Sequence, residues 1–255
     1  MLTQEQLARY ARNIVVDVIG QDGQQRLLHA KVLVVGAGGL GSPVCLYLAA
    51  AGIGTLGIAD QDRVSLSNLQ RQILYRTSDI GQGKTGCAAR EIQALNPDVR
   101  VIPVDTPVNA RNADDIIAPY DMVVSAVDNF SSRYALNDAC VRAQKPLVEA
   151  GVSRFEGLLL TIKPFEGPCY RCLFPEEPPE GALPSPAQTG IIGAVAGVAG
   201  CLQALEVIKL ATGVGSPLVG RILLFDGLET SFREIRIERN HACPSCGDQK
   251  KSPRW

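Results

Sequence analysis

The chain has 255 residues and a formal net charge of −1, with charged residues making up 20% of it. That length buries a sizeable core as one large domain or two small ones, and the balanced charge gives no sign of steering toward nucleic acid. Glu5, Arg9, Arg12 and Asp17 interrupt the apolar residues of the first twenty positions, so no secretory signal is legible; eight cysteines in such a chain argue for metal or chemistry rather than a disulfide framework. A cytosolic (cytoplasmic) protein is expected.

Thr3-Gln-Glu-Gln6 has the form of a capping box, and Leu7, Tyr10, Ala11 and Ile14 continue it as a helical stripe. Arg9 and Arg12 lie off that stripe, three apart, and can point together at something outside the helix; by spacing alone they read equally as solvated arginines. A second helix around 21–29, ending near a surface His29, leads into the apolar β-branched run 32–35, the signature of a strand buried on both faces of a parallel sheet. Gly36-x-Gly38-Gly39-x-Gly41 follows at once, and Leu40, Val44, Cys45 and Leu48 then fall at helical spacing. Strand, glycine turn and helix together mark a nucleotide site. The glycines permit a tight turn and close approach to phosphate, and the helix N-terminus offers free N–H groups. A second strand at 55–59 delivers Asp60, roughly twenty residues on, where such folds hold a ribose hydroxyl. The bland alternative is a tight turn in an ordinary α/β domain.

Residues 61–72 are polar, anchored by Val64, Leu66 and Leu69, and present Asp62, Asn68, Arg71 and Gln72 from the carboxyl end of the second strand. A dinucleotide dehydrogenase has no need of an Asn and an Arg there, whereas a nucleoside triphosphate needs cationic partners for its phosphates. Gly81-Gln-Gly83-Lys84-Thr85 is not a P-loop, because Ser78 stands where the first glycine belongs and no strand precedes it. Lys84 begins a helix over 84–95 instead, at an end where a cation opposes the dipole; it reads as a lysine kept for an anion, with a solvated lysine as the alternative. Strands at 99–104 and 122–125 flank a helical segment at 113–118. Asp128-Asn129 then precedes a helix over 131–142. If strand order reverses at the fourth strand, Asp128 lies beside the glycine turn and could ligate magnesium on a triphosphate; its alternative is an N-cap or Asx turn. A fifth strand at 146–150 gives way to an antiparallel extension at 157–163.

Cys169-Tyr-Arg-Cys172 and Cys243-Pro-Ser-Cys246 read as one closed, structural four-thiolate zinc site. A redox pair is the rival, but one C-x-x-C suffices for that and neither sits between a strand and a helix. Cys45, Cys140 and Cys201 lie in apolar helical patterns and read as core residues, while Cys87, near Lys84, stays open. Residues 175–189 carry five prolines, a stiff loop of the kind that covers a site or meets a partner. A buried helix over 191–211 follows, with Gly193-x-x-x-Gly197 allowing close packing. Strands at 221–225 and 231–237 close the chain.

These pieces together resemble the ThiF/MoeB/HesA family, bacterial relatives of ubiquitin-activating enzymes, from Arg9-Tyr-Ala-Arg12 to Cys246. The motifs are the glycine turn, Asp60-x-Asp62-x-Val64-x-x-Ser67-Asn68-Leu69-x-Arg71-Gln72, Lys84, Asp128-Asn129 and the paired C-x-x-C knuckles. The fold class expected is α/β: a Rossmann-like, doubly wound, mostly parallel sheet extended by antiparallel C-terminal strands, with a four-cysteine zinc site. The resemblance implies one adenylation domain over 1–255, comprising N-terminal helices (1–30), a nucleotide-binding half (31–150), a carrier-binding and zinc half (151–248) and a tail (249–255). It implies an adenylyltransferase that binds ATP and magnesium through Gly36, Gly38, Gly39, Gly41, Asp60, Asp62, Asn68, Arg71, Gln72, Lys84, Asp128 and Asn129. The substrate implied is the C-terminal Gly-Gly carboxylate of a small ubiquitin-like sulfur carrier protein of ThiS or MoaD type, and the products are acyl-adenylate and pyrophosphate.

A homodimer is implied too, with Arg12 reaching the partner subunit's ATP. Arg71, Lys84 and the incoming Arg12 would then screen the phosphates, Asn68 orient them, Asp128 hold magnesium and Asp60 grip the ribose. The carboxylate nucleophile is already ionised, so no general base is required. In one respect the chain departs from thiamine-pathway relatives, which carry a cysteine on the loop before the late helix: 174–189 has none. Adenylation alone is supported, with sulfur supplied by another protein, a sulfurtransferase or cysteine desulfurase. Other readings are activation of a peptide or modified-nucleoside carboxylate, a nicotinamide-dependent oxidoreductase, and a non-catalytic zinc-stabilised partner-binding protein.

Overall fold

The computed structural model describes residues 1–179 and 189–248. Its centre is the apolar run read above. Lys31–Val35 forms β1, with Thr55–Ala59 (β2) parallel on one side and Met122–Ser125 (β4) parallel on the other. Arg100–Val104 (β3) lies outside β2, and Leu147–Ser153 (β5) lies outside β4, both again parallel. Glu156–Ile162 (β6), Arg221–Asp226 (β7) and Ser231–Arg236 (β8) extend the same sheet antiparallel beyond β5. The order β3-β2-β1-β4-β5-β6-β7-β8 reverses direction between β1 and β4.

Because side chains alternate along a strand, β1 feeds two cores. Val32 and Val34 enter one with Leu27, Leu48, Ile92 and Val207; Leu33 and Val35 enter the other with Ile117, Leu136 and Tyr170. The first layer is built by Gly20–His29 (α3), Gly41–Ala51 (α4), Lys84–Leu95 (α5) and Gly193–Thr212 (α9). The second is built by Ala113–Ile117 (α6), Phe130–Arg142 (α7) and Tyr170–Leu173 (α8), with the cysteine knuckles beside them. Helices on both faces of a sheet whose order reverses make the fold doubly wound.

The N-terminal stripe is interrupted. The Thr3 capping box forms, but the helix breaks at Tyr10 into Gln4–Arg9 (α1) and Ala11–Ile14 (α2), leaving Leu7, Ala11 and Ile14 half-buried. Tyr10 itself is 1% exposed. Its hydroxyl donates to Asp98 (3.2 Å) and accepts from Asn96 (2.9 Å), and that anchorage on the segment after α5 overrides helical continuity. Helix α9 is the only one among the described residues long and apolar enough to cross a membrane, with a mean hydropathy of 1.6. Here it packs on α3, α4, β5 and β6 as a core helix. Its close approaches run through Gly193, against Gln70, and Gly200, where a Cβ would stand 2.5 Å from the Leu40 carbonyl; Gly197 faces open space, so the G-x-x-x-G spacing is not what packs it.

Candidate functional site

Where strand order reverses, the carboxyl ends of β1 and β4 part and leave a crevice. A cleft of about 480 Å³ occupies it. Its floor begins at Gly36, which takes φ +92° to turn the chain; a Cβ there would stand 2.5 Å from the Ala126 carbonyl. Gly41 lets α4 start directly over that turn, since a Cβ would collide with the Gly36 carbonyl. Tyr75 holds the turn from behind, its hydroxyl donating to the Ala37 carbonyl at 2.7 Å.

Asp60 is tied to the turn, its carboxylate accepting from the backbone N–H groups of Ala37 and Asp62, both at 2.8 Å. Lys84 enters from the N-terminus of α5 with a side chain only 5% exposed, its Nζ 2.9 Å from Asp62 and 3.9 Å from Asp60. A cation at a positive dipole end is therefore compensated by two carboxylates, of which Asp62 is 61% exposed. The lysine also donates its backbone N–H to the Asp62 carbonyl (2.9 Å), and the Arg63–Gly83 bridge fixes the two segments side by side.

Gly36, Gly38, Gly39, Asp60, Asp62, Arg71, Gln72, Lys84, Asp128 and Asn129 all line this cleft. Gln72 is buried, and its Oε1 has no hydrogen-bond partner among the described residues, as expected of a group awaiting a ligand. The N-cap role weighed for Asp128 falls to Asn129, whose side chain accepts from the Ser132 N–H (2.9 Å); the Asp128 carboxylate is left exposed at the cleft. Three expected residues stand elsewhere. Gly41 packs beneath the turn. Asn68 does not line the cleft, because its side chain accepts from the Ser65 N–H and caps the 3₁₀ turn Leu66–Asn68. Arg12 is exposed on α2, outside the cleft of its own chain.

A buried pair escaped the sequence reading. Arg133 lines the cleft and its Nε lies 3.0 Å from Glu149 on β5, a residue at 0% exposure. Burial pushes the Glu149 carboxyl up to about 7, against the opposing pull of the Arg133 charge and the Ser125 hydroxyl; the contact with Arg133 is one of charge, since neither its Nε nor either Glu149 oxygen completes a hydrogen bond among the described residues. An acid inside the apolar strand Leu147-Val-Glu149-Ala was the available signal: a charge there must be paired.

The four knuckle cysteines converge at the far side of α7. Their Sγ atoms all lie within 4.8 Å of one another, Cys169 being 3.6 Å from Cys243 and Cys172 3.4 Å from Cys246, and all four are free thiols. Thiolates about 2.3 Å from a tetrahedral zinc stand about 3.8 Å apart, so the set fits that ion. The Asn240 N–H donates to Cys172 Sγ (3.4 Å), the kind of outer contact that favours a thiolate. Arg171 grips Asp138 (2.8 Å) and so ties α8 to α7. Of the other cysteines, Cys45 and Cys140 are buried, which pushes both thiols up to about 12. Cys87 is buried as well, and its thiol donates to the Gln82 side chain at 3.7 Å. Cys201 is half-buried.

A profile of the ThiF family matches residues 10–245. The sulfur carrier protein adenylyltransferase of Thermus thermophilus is 48% identical over 252 residues, 97% of this chain and 93% of that protein. The SAMP-activating enzyme E1 of Haloferax volcanii is 46% identical over 95% of this chain and 90% of its own length. The adenylyltransferase and sulfurtransferase MOCS3 of Bos taurus is 47% identical over 97% of this chain, which spans 55% of that longer protein. Among solved structures, Escherichia coli MccB with ATP has a TM-score of 0.82 at 25% identity, covering 94% of this chain and 73% of MccB. The chain belongs to the ThiF family.

Proposed function

We propose that this protein is an ATP-dependent adenylyltransferase acting on the C-terminal Gly-Gly carboxylate of a small ubiquitin-like sulfur carrier protein. The observation that carries the reading is the ring of Asp60, Lys84, Arg71 and Asp128 around one cleft at the strand-order reversal. Close similarity to a sulfur carrier protein adenylyltransferase over nearly the whole chain supports the substrate. In this reading residues 31–150 are the nucleotide-binding half of a single adenylation domain and 151–248 the carrier-binding and zinc half.

The chemistry follows from charge. A carboxylate attacking an α-phosphate brings two anions together, so positioning and neutralisation carry the rate. Asp60, fixed by two backbone N–H groups, grips the ribose and sets the nucleotide's register. Lys84 exchanges Asp62 for phosphate oxygens, and Arg71, which lines the same cleft, screens them as well. Asp128 is the acid that would hold magnesium, which when bound neutralises phosphate charge; one exposed carboxylate plus phosphates is a donor set that suits this ion. The four thiolates would hold zinc structurally, with no open position for chemistry. Arg12, exposed and not among the residues lining the cleft of its own chain, is read as acting across a homodimer. Sulfur then comes from a separate donor, a sulfurtransferase or a cysteine desulfurase.

ATP–pyrophosphate exchange tests the reading. Exchange should depend on a carrier ending in Gly-Gly, and Lys84→Ala or Asp128→Ala should lower it by about a hundredfold or more. Exchange that ignores the carrier, or its absence with an intact carrier, would refute it.

A further inference from the structure

The roles assigned above leave unexplained the buried ion pair beneath the cleft. Arg133 sits in the first turn of α7 and points back to the sheet, where its Nε meets Glu149 at 3.0 Å. Through Nη2 the same guanidinium donates to the carbonyls of Val127 (3.2 Å) and Ala150 (3.3 Å). Val127 lies just past the end of β4, and Ala150 lies within β5, so one side chain joins the segments that wall the cleft. Gly151 leaves room for it, since a Cβ there would stand 3.2 Å from Nη1. The rings of Phe130 and Tyr170 flank the guanidinium at 5.9 and 5.6 Å. Both carbonyls accept from the single nitrogen Nη2, while Nε faces the acid; a lysine ammonium can serve several carbonyls, as Lys145 does for Ile117, Ala118 and Tyr120, but offers no second nitrogen to face Glu149. Burying a charged pair is a poor source of stability, which makes a role in fixing geometry the better account of it.

Asp128 lies between two fixed points. The carbonyl before it is held by Arg133, and the residue after it, Asn129, caps α7 through the Ser132 N–H. Its own carboxylate makes no hydrogen bond or ion pair among the described residues and meets Arg133 only as a neighbouring charge, so its place in the cleft is set mainly through the backbone. We propose that Arg133, held by Glu149, is a positioning residue that fixes the Asp128 carboxylate toward the nucleotide's phosphates. This rests on the reading of Asp128 as the acid that holds magnesium with ATP, and does not depend on which carboxylate is adenylated.

The test is calorimetric titration of the full chain with ATP, with and without magnesium, so that no turnover is needed. The variants are Arg133→Ala combined with Glu149→Gln, which leaves no lone buried carboxylate, the same pair in an Asp128→Ala background, and Asp128→Ala alone. In the wild type magnesium should tighten ATP binding. The paired substitution should remove about fivefold or more of that gain while changing metal-free affinity less than about twofold, and in the Asp128→Ala background it should cost under about twofold in either condition. If the paired variant does not fold, Arg133→Lys carries the test: it keeps the positive charge but, with one nitrogen in place of a fork, cannot meet Glu149 and both carbonyls at once, and should show the same selective loss. Equal losses in both backgrounds, or no loss, would overturn the positioning role. A wild type whose ATP binding ignores magnesium would overturn the reading of Asp128 and this role with it. Magnesium-dependent ATP binding without carrier-dependent exchange would overturn the proposed substrate alone.

Discussion

Glu149→Gln should flatten the pH dependence of folding stability between about pH 5 and pH 8. Burial raises this carboxyl from 4.5 to about 7, with Arg133 and Ser125 pulling the other way. A carboxyl whose pKa is higher in the folded than in the unfolded state keeps its proton longer when folded. The native chain therefore binds the extra proton between these two values, and stability falls as pH rises through them. The contribution is complete below about pH 4.5 and lost by about pH 7, which at about 1.4 kcal/mol per unit amounts to ~3 kcal/mol. A glutamine has no proton to lose, so its variant lacks that slope, whatever its absolute stability beside an unpaired Arg133. Urea unfolding followed by circular dichroism at several pH values in this window would measure both curves. Asp79 and Asp138 titrate below their ordinary values, so their stabilising effect is lost only in stronger acid and is common to both proteins. A difference between wild type and variant that stays constant from about pH 5 to pH 8 would refute the reasoning, and would mean that Arg133 keeps the carboxylate ionised throughout.

The purified chain should carry about one zinc, and Cys243→Ala should lower metal content and melting temperature together; a zinc-free preparation that is folded and active would remove the structural-zinc reading. Arg12→Ala and Asp128→Ala should each be nearly inactive, while mixed heterodimers regain about half of wild-type activity because one of two composite sites is whole. Verified subunit exchange that restores nothing counts against a shared site. Incubation with ATP and carrier should give carrier-AMP and pyrophosphate without a reducible or thioester-linked adduct, and single replacement of Cys87, Cys140 or Cys201 should leave exchange within about a few-fold. Intact mass spectrometry decides this, and an adduct abolished by one of those replacements would locate a nucleophile that packing conceals.

The parts of this fold that read cleanly from sequence are those whose signal is local. The β-branched run of β1, the glycine turn after it and the tight spacing to Asp60 each carry their own geometry. The helix beginning at Lys84 matched over its whole length, because Gly83 and the apolar positions Ala88 and Ile92 mark it within one window. What escaped depends on residues far apart in sequence. The break at Tyr10 is set by Asn96 and Asp98, which nothing near Tyr10 announces. Asn68 is the local exception: its motif marks a phosphate contact, while its side chain accepts from the Ser65 N–H three residues back and caps a 3₁₀ turn. Arg133 resembled any polar helix residue until Glu149 was brought under it by the pairing of β4 with β5.

The cysteine knuckles have a consequence for the connectivity of the molecule. Each pairing joins positions 74 residues apart, and the span between Cys172 and Cys243 contains α9, β7 and β8. Once a metal closes the knuckles, this span becomes a ring sealed by coordination bonds as well as by peptide bonds. A single proteolytic cut in the proline-rich stretch 175–189 would open the peptide path while the metal still bridged the two fragments. The nicked protein would migrate as one particle until chelation, and would come apart only to the extent that α9 and the β6–β7 pairing let go. Such an ion would guard against loss of the C-terminal third as a piece, a protection that loop-closure entropy alone does not provide.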